Sequence, residues 1–223
     1  MSRTVSQASR RRPMNAPVAA SLAVELLKAA AALVAERGPQ GFSLREVARR
    51  AHVSEAAPYW HFASKETLLA AVAEEGFVAL ATLMAEVCER VKDPDRQLQE
   101  LGVAYVRFAL AHPSHLRVMF GPEIRDKSAH PTLKAAGGRA FGLLVRAISD
   151  GQSAGRVRRG DTEELAVAAW ALVHGLSALI IDGQLRKRVP NEREAQRLAT
   201  TVTKLLQTGL GRRNGTRPSN HGG

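Results

Sequence analysis

The chain has 223 residues, 45% hydrophobic and only 4% aromatic, with one cysteine and a formal charge of +11. Such a length allows one or two domains, and a core built mainly from Ala, Leu and Val favours packed helices over a β-sandwich. Lone Cys88 excludes an intramolecular disulfide.

The charge is uneven: residues 1–65 hold ten basic groups against four acidic ones, and Arg212, Arg213 and Arg217 lie in the C-terminal tail. A basic head on a nearly neutral body is a nucleic-acid footprint. The N-terminus lacks the apolar core of a signal peptide. The most apolar run, Leu165 to Ile181, falls short of a spanning helix and contains His174, Gly175 and Ser177. A soluble, cytoplasmic, all-α protein with no membrane segment is expected.

In chain order, residues 1–16 are Ser/Arg-rich, contain Pro13 and show no apolar periodicity, which predicts a disordered basic arm. Arg10 to Arg12 have two readings: a solvated tail, or an arm reaching into a minor groove. From Ser21, residues Leu22, Leu26, Ala30, Leu33 and Arg37 fall on one stripe of a helix that stops at Gly38-Pro39. Ser43 followed by Glu46 is a capping box, and Leu44, Val47, Ala48 and Ala51 give the next helix its apolar face. His52 and Val53 break that helix, and Ser54 is a ready N-cap for another. On this second helix Pro58 and Phe62 point inward, while Ala56, Ala57 and Trp60 point outward, flanked by Tyr59 and His61. Large aromatics on a surface mark contact. Alanines let the backbone approach base edges, and Tyr and His donate to phosphates. Two short helices about a tight turn form a helix-turn-helix, whose second helix enters the major groove.

Ser64 caps a long helix with apolar groups from Leu68 to Val87, ended near Lys92 by Asp93-Pro94. It links head to body. The body reads as helical throughout. One helix carries Leu98, Leu101, Tyr105 and Phe108 and closes at His112-Pro113, and a short one with Leu116, Met119 and Phe120 is stopped by Gly121-Pro122. Residues 123–131 read as a loop, followed by a helix from Thr132 to Ser153 and a basic loop at Gly155 to Gly160. Asp161 with Glu164 opens the helix that carries Trp170, and a last helix follows Val189-Pro190-Asn191 and runs to about Gly209. The total is about nine helices.

The segments ALVAERG, Phe42 to Glu46, VARRAHVS, PYWHF and SKETLLAAV together resemble the DNA-binding domain of the tetracycline-repressor-like (TetR/AcrR) family of bacterial transcription regulators, over about Leu22 to Val72. The resemblance implies that residues at Ser43, Arg45, Tyr59, His61 and Lys65 contact phosphates and those at Ala56, Ala57 and Trp60 face bases. Two positions depart from the family pattern: His52 stands where Gly is usual, and Pro58 where an apolar Leu is usual. AHPSHLRVMFGPE and WALVHGLSALIIDG resemble a C-terminal ligand-binding domain of one subgroup, named for its Trp-His-Gly signature, over roughly residues 98–208. That resemblance implies an effector site and a homodimer formed through the last two helices. The organisation expected is an arm at 1–16, a DNA-binding domain at 17–66, a helical effector-binding and dimerisation domain at 67–209 and a disordered tail at 210–223.

Trp170 and His174 are four apart and neighbours on one helix face. Two readings stand: a core pair, or part of an effector pocket whose apolar walls Phe108, Met119, Phe120 and Phe141 complete. Gly175 inside a helix costs about 1 kcal/mol against Ala, for which close helix contact is a motive. The run Ala166 to Ile181 is apolar nearly all round, and a second copy would cover it; two-fold symmetry suits a palindromic operator. His112, His115 and His130 have no Cys or carboxylate at ligand spacing, so no metal and no cofactor is expected. No nucleophile-elbow, P-loop or dinucleotide motif occurs, so an enzyme is not expected. The expected function is operator binding relieved by a small lipophilic effector. The rival is an architectural protein that coats DNA without sequence preference.

Overall fold

The computed structural model describes residues 16–210, so the expected arm up to residue 15 and the tail from residue 211 lie outside the described residues. The elements are α1 (Ala16–Arg37), α2 (Leu44–Arg50), α3 (Pro58–His61), α4 (Lys65–Arg90), α5 (Pro94–Ala111), α6 (Pro113–Phe120), a 3₁₀ turn (Lys127–Ala129), α7 (Pro131–Ser153), α8 (Thr162–Ile181) and α9 (Glu192–Leu210). Among the described residues there are nine α-helices and no strand. α1 starts at Ala16 instead of Ser21 because the Ala-rich run before Ser21 is a good helix former, with Pro17 tolerated in the first turn.

Helix starts follow the side chains available. Ser43 accepts from the Glu46 N–H while the Glu46 carboxylate accepts from the Ser43 N–H at 2.9 Å, which completes the capping box. Ser64 caps α4 through the Thr67 N–H, Asp93 caps α5 through the Arg96 N–H, and Asp161 caps α8 through the Glu164 N–H. Each such cap is worth about 1 kcal/mol. The turn after α2 places His52 at φ +56°, the left-handed region that Gly would occupy freely and that His enters at roughly 1 kcal/mol.

α1, α2 and α3 form a small head, and α4 is shared between head and body. α4 packs against α1 near its start and against α5, α6 and α7 along its length. At Gly76 a Cβ would stand 2.6 Å from Met119 Sδ and 3.1 Å from His115 Cβ. Glycine there lets α4 and α6 approach closely. One core cluster runs from Leu26, Val47 and Leu68 in the head through Leu80 and Met84 to Leu101 and Phe108. A smaller one at the far end gathers Leu98, Ile148, Leu165 and Ala166.

The body helices run alternately away from the head and back. α6 lies at the head end, against α1. The end of α8 reaches the same level, where Arg117 and Asp182 pair at 3.8 Å. α9 then runs outward, and Gln207 Nε2 donates to the Asp95 carbonyl at the start of α5. α4 and α8 are long and apolar enough to cross a membrane by length and composition alone, and the body packs around half of α4's apolar stretch and a third of α8's. α8 leaves Val167, Ala168, Ala171, Leu172 and Leu179 exposed on one stripe, and α9 adds Leu205 at 67% exposure. Gly175 lies on this side too, with no atom within 4 Å of where a Cβ would be. The close contact expected at Gly175 is therefore absent among the described residues.

Candidate nucleic-acid interface and ligand cavity

Tyr59 and Trp60 stand out from the head at 54% exposure each. The helix beneath them differs from expectation. Ser54 does not cap it: residues 55–57 form a turn, and α3 begins only at Pro58, with Ala57 as an N-cap lacking a side-chain bond. The Ser54 carbonyl accepts the Ala57 N–H at 2.9 Å instead. The late start rotates Ala57 inward, where it is 3% exposed beside buried Pro58 and Phe62. Of the two alanines expected to face bases, only Ala56 is exposed. His61 is half-buried, with an Nε2 that has no hydrogen-bond partner among the described residues.

Two of the expected phosphate contacts, Ser43 and Arg45, stand among three separate ion pairs of the head. Ser43 spends its hydroxyl on the Glu46 carboxylate at 3.0 Å. Arg45 is exposed, 3.6 Å from Glu55. Arg37 binds Glu46 at 2.7 Å, and Arg50 grips Glu36 with two nitrogens at 2.6 and 2.8 Å. The Arg50 hydrogen bonds hold the Glu36 carboxyl below its usual pKa, and the Ser43 amide does most to lower that of Glu46.

Lys65 points inward. Its Nζ donates to the Phe42 carbonyl at 2.7 Å and the Gln40 carbonyl at 3.0 Å, and lies 4.4 Å from the centre of the Phe42 ring. Burial lowers the pKa of this ammonium. Lys65 thereby latches the start of α4 to the segment that feeds α2. Lys65→Met is expected to destabilise the protein by about 1–3 kcal/mol, since two carbonyls lose a charged donor. A thermal melt checks this; an unchanged midpoint with a shallower salt dependence of DNA binding would return Lys65 to a purely phosphate-binding role.

A cavity of about 200 Å³ lies inside the body, between α4, α5, α7 and α8. Phe77, Tyr105, Phe120, Phe141, Leu144 and Trp170 supply much of its almost wholly apolar wall. Phe120, Phe141 and Trp170 were expected there; Phe77 and Tyr105 were not. Phe108 and Met119 are core residues away from the cavity. Phe108 faces His112, at 5.0 Å between ring centres, and Met119 packs under Gly76.

His174 stands behind the wall instead of in it. Trp170 Nε1 donates to the Tyr105 oxygen at 3.3 Å, and that hydroxyl is 2.8 Å from His174 Nδ1. Burial lowers the His174 pKa, favouring the neutral ring, and raises that of Tyr105, keeping the phenol protonated. The Tyr105 hydroxyl has no other acceptor among the described residues, so its proton is assigned to Nδ1, and the neutral His174 ring then carries its own proton on Nε2. Both polar groups at the cavity wall are satisfied by this chain; Trp170 lines the cavity and His174 stands behind it. Among the described residues no group of three or more His, Cys, Asp and Glu side chains is arranged to hold a metal; His115 pairs with Glu75 at 3.6 Å.

Two family models match the chain: "Bacterial regulatory proteins, tetR family" over residues 26–72 and "Tetracyclin repressor-like, C-terminal domain" over residues 98–205. The HTH-type transcriptional repressor NicS of Pseudomonas putida is 26% identical over 137 residues, 60% of this chain and 64% of that protein. An HTH-type transcriptional regulator of Mycobacterium bovis, Mb3439c, is 35% identical over 77 residues, 32% of this chain and 41% of its own. The chain thus spans less than two thirds of these curated relatives. Among solved structures, a protein of unknown function from Rhodococcus sp. RHA1 superposes with a TM-score of 0.73 at 32% identity, covering 86% of this chain and 96% of that one. FadR of Bacillus subtilis, solved in complex with stearoyl-CoA, shares the fold at a TM-score of 0.70 and 15% identity, covering 84% and 98%. With a helix-turn-helix head matched by one model and a regulatory body matched by the other, the chain belongs to the tetR family of bacterial transcription regulators.

Proposed function

We propose that this protein is a repressor that binds a palindromic DNA operator in the cytoplasm as a homodimer, and that a small lipophilic molecule entering the body cavity releases it. The observation that carries the reading is the pairing of an exposed Tyr59–Trp60 surface with an apolar cavity in one chain. Tyr59, Trp60 and Ala56 face the major groove, with Ser43, Arg45 and His61 at its phosphate edges. The uncovered stripe of α8 and Leu205 of α9 bury themselves against a second copy.

A physical route joins the two sites. Phe120 in the cavity wall ends α6, and the segment after it returns to the head, where the Arg125 N–H donates to Glu66 in the first turn of α4 at 3.0 Å. A ligand that displaces Phe120 pulls on the start of α4, next to the Lys65 latch. The ligand must bind the operator-incompetent arrangement more tightly; moving the population from 1:99 to 99:1 takes a preference of about 10⁴.

The test is footprinting on the promoter beside its own gene, with and without lipophilic compounds. Trp170→Ala should weaken the response to an effector at least tenfold and leave operator affinity of the free protein within about twofold. Uniform affinity for every duplex would favour a sequence-indifferent DNA-coating role. A Trp170→Ala protein that no longer folds would make Trp170 a core residue.

A further inference from the structure

Beside the apolar cavity, on the other side of Phe120, lies a second, more open one of about 320 Å³ with a different character. Pro39 of the head forms part of its wall, together with Arg117 of α6, Glu123, and His174 and Asp182 at the end of α8. Phe120 lines both cavities. That ring lies 4.6 Å from His174 and 5.4 Å from Trp170, centre to centre. The apolar cavity has no spare polar group, because Tyr105 and Trp170 are already bonded. Polar recognition must come from the second one.

The charges of this second cavity balance. Arg117 faces Asp182 at 3.8 Å. The Lys65 ammonium, bound to its two carbonyls just outside the wall, is the cation whose field reaches Glu123. Counting Lys65, two cations stand against two carboxylates beside a neutral His174, so a charged ligand group would find no unpaired counter-charge there. Two hydrogen-bonding positions remain open. Glu123 Oε2 is buried and has no partner among the described residues. It lies over Gly121, where a Cβ would overlap the carboxylate. His174 commits Nδ1 to Tyr105 and carries its proton on Nε2, in the wall of this cavity.

We infer that the effector is a lipophile with a neutral hydroxyl head: its apolar body fills the cavity walled by Phe141 and Trp170, and its hydroxyl passes Phe120 to donate to Glu123 and accept from His174. This rests on the effector reading above and adds the chemistry of the ligand. A hydroxyl is the smallest group that both donates and accepts. A carboxylate would place a third negative charge beside Glu123 and Asp182. An ammonium would bring a third positive charge beside Lys65 and Arg117 and cannot accept from His174.

The experiment is calorimetric titration of the full chain with four probes of one chain length: 1-decanol, 1-methoxydecane, decanoate and decylamine. The expected result is decanol binding at least tenfold more tightly than the other three, the worth of one hydrogen bond to a charged group. Glu123→Ala should weaken decanol about tenfold and leave methoxydecane, which cannot donate, within twofold. Should that variant lose its helical signal, Glu123→Gln takes its place, with a smaller loss for decanol alone. Methoxydecane or either charged probe matching decanol would overturn the inference, as would an equal loss for decanol and methoxydecane in the variant. If methoxydecane binds and decanol gains nothing, the apolar effector cavity stands and only the hydroxyl assignment falls; if no probe binds, both fall.

Discussion

Trp60→Ala is expected to reduce the preference for operator over random duplex by one to two orders of magnitude and to leave stability almost untouched. The indole is 54% exposed and carries none of the head's core, which rests on Ala57, Pro58 and Phe62 beneath it. Surface positions of that kind change stability by about 0.5 kcal/mol or less. Against a base edge, one good contact is worth about 1–3 kcal/mol of discrimination in each half-site. Competition binding with labelled operator and random DNA measures the ratio, and a melt of the same protein measures the fold. An unchanged ratio in the Ala variant would remove Trp60 from base contact and leave Tyr59 and Ala56 to account for specificity.

The second large effect concerns assembly. Leu172→Glu combined with Leu205→Glu should give a folded monomer whose operator affinity falls at least a hundredfold. Both leucines are exposed in the single chain, so the substitutions leave its core alone. In a two-fold dimer each new carboxylate is buried or faces its own copy, which reverses the gain from covering α8. Losing the partner turns an effectively intramolecular second half-site into a separate binding event, a difference of 10²–10⁴ in similar linked systems. Light scattering gives the mass and circular dichroism the helix content. A variant that remains dimeric would place the interface elsewhere.

Helix starts and stops were legible wherever a short polar side chain or a Pro/Gly pair marks them. Ser43, Ser64 and Asp161 cap as their spacing to the following residues predicts, because capping is a contact three residues long, and Asp93, read only as the end of α4, caps α5 in the same way. Ser54 has the same chemistry and does not cap, since its carbonyl closes a tighter three-residue turn onto the Ala57 N–H before α3 begins. That tighter turn changes the phase by which Ala57 was placed outside. Side-chain partners distant in sequence were not legible. Tyr105 meets Trp170 and His174, 65 and 69 residues away, and no local pattern marks it as a cavity wall. Phe108 and Met119 look like wall residues by type, yet whether an apolar side chain lines a space or fills one depends on the angle between helices. Lys65 was read as a phosphate contact from the family resemblance; its partners here, two backbone carbonyls 23 and 25 residues earlier, leave no local mark in the sequence.

The ion pairs of the head set how it meets a polyanion. Arg37, Arg45 and Arg50 each already hold a glutamate, so approaching DNA must exchange one negative partner for another. The free energy of docking is then the difference between two attractions, and part of the cationic surface is neutralised from within before any duplex arrives. Glu36, Glu46 and Glu55 act as internal stand-ins for the nucleic-acid backbone. They orient the guanidinium groups in advance and weaken attachment to sites where only charge, and no shape, is offered.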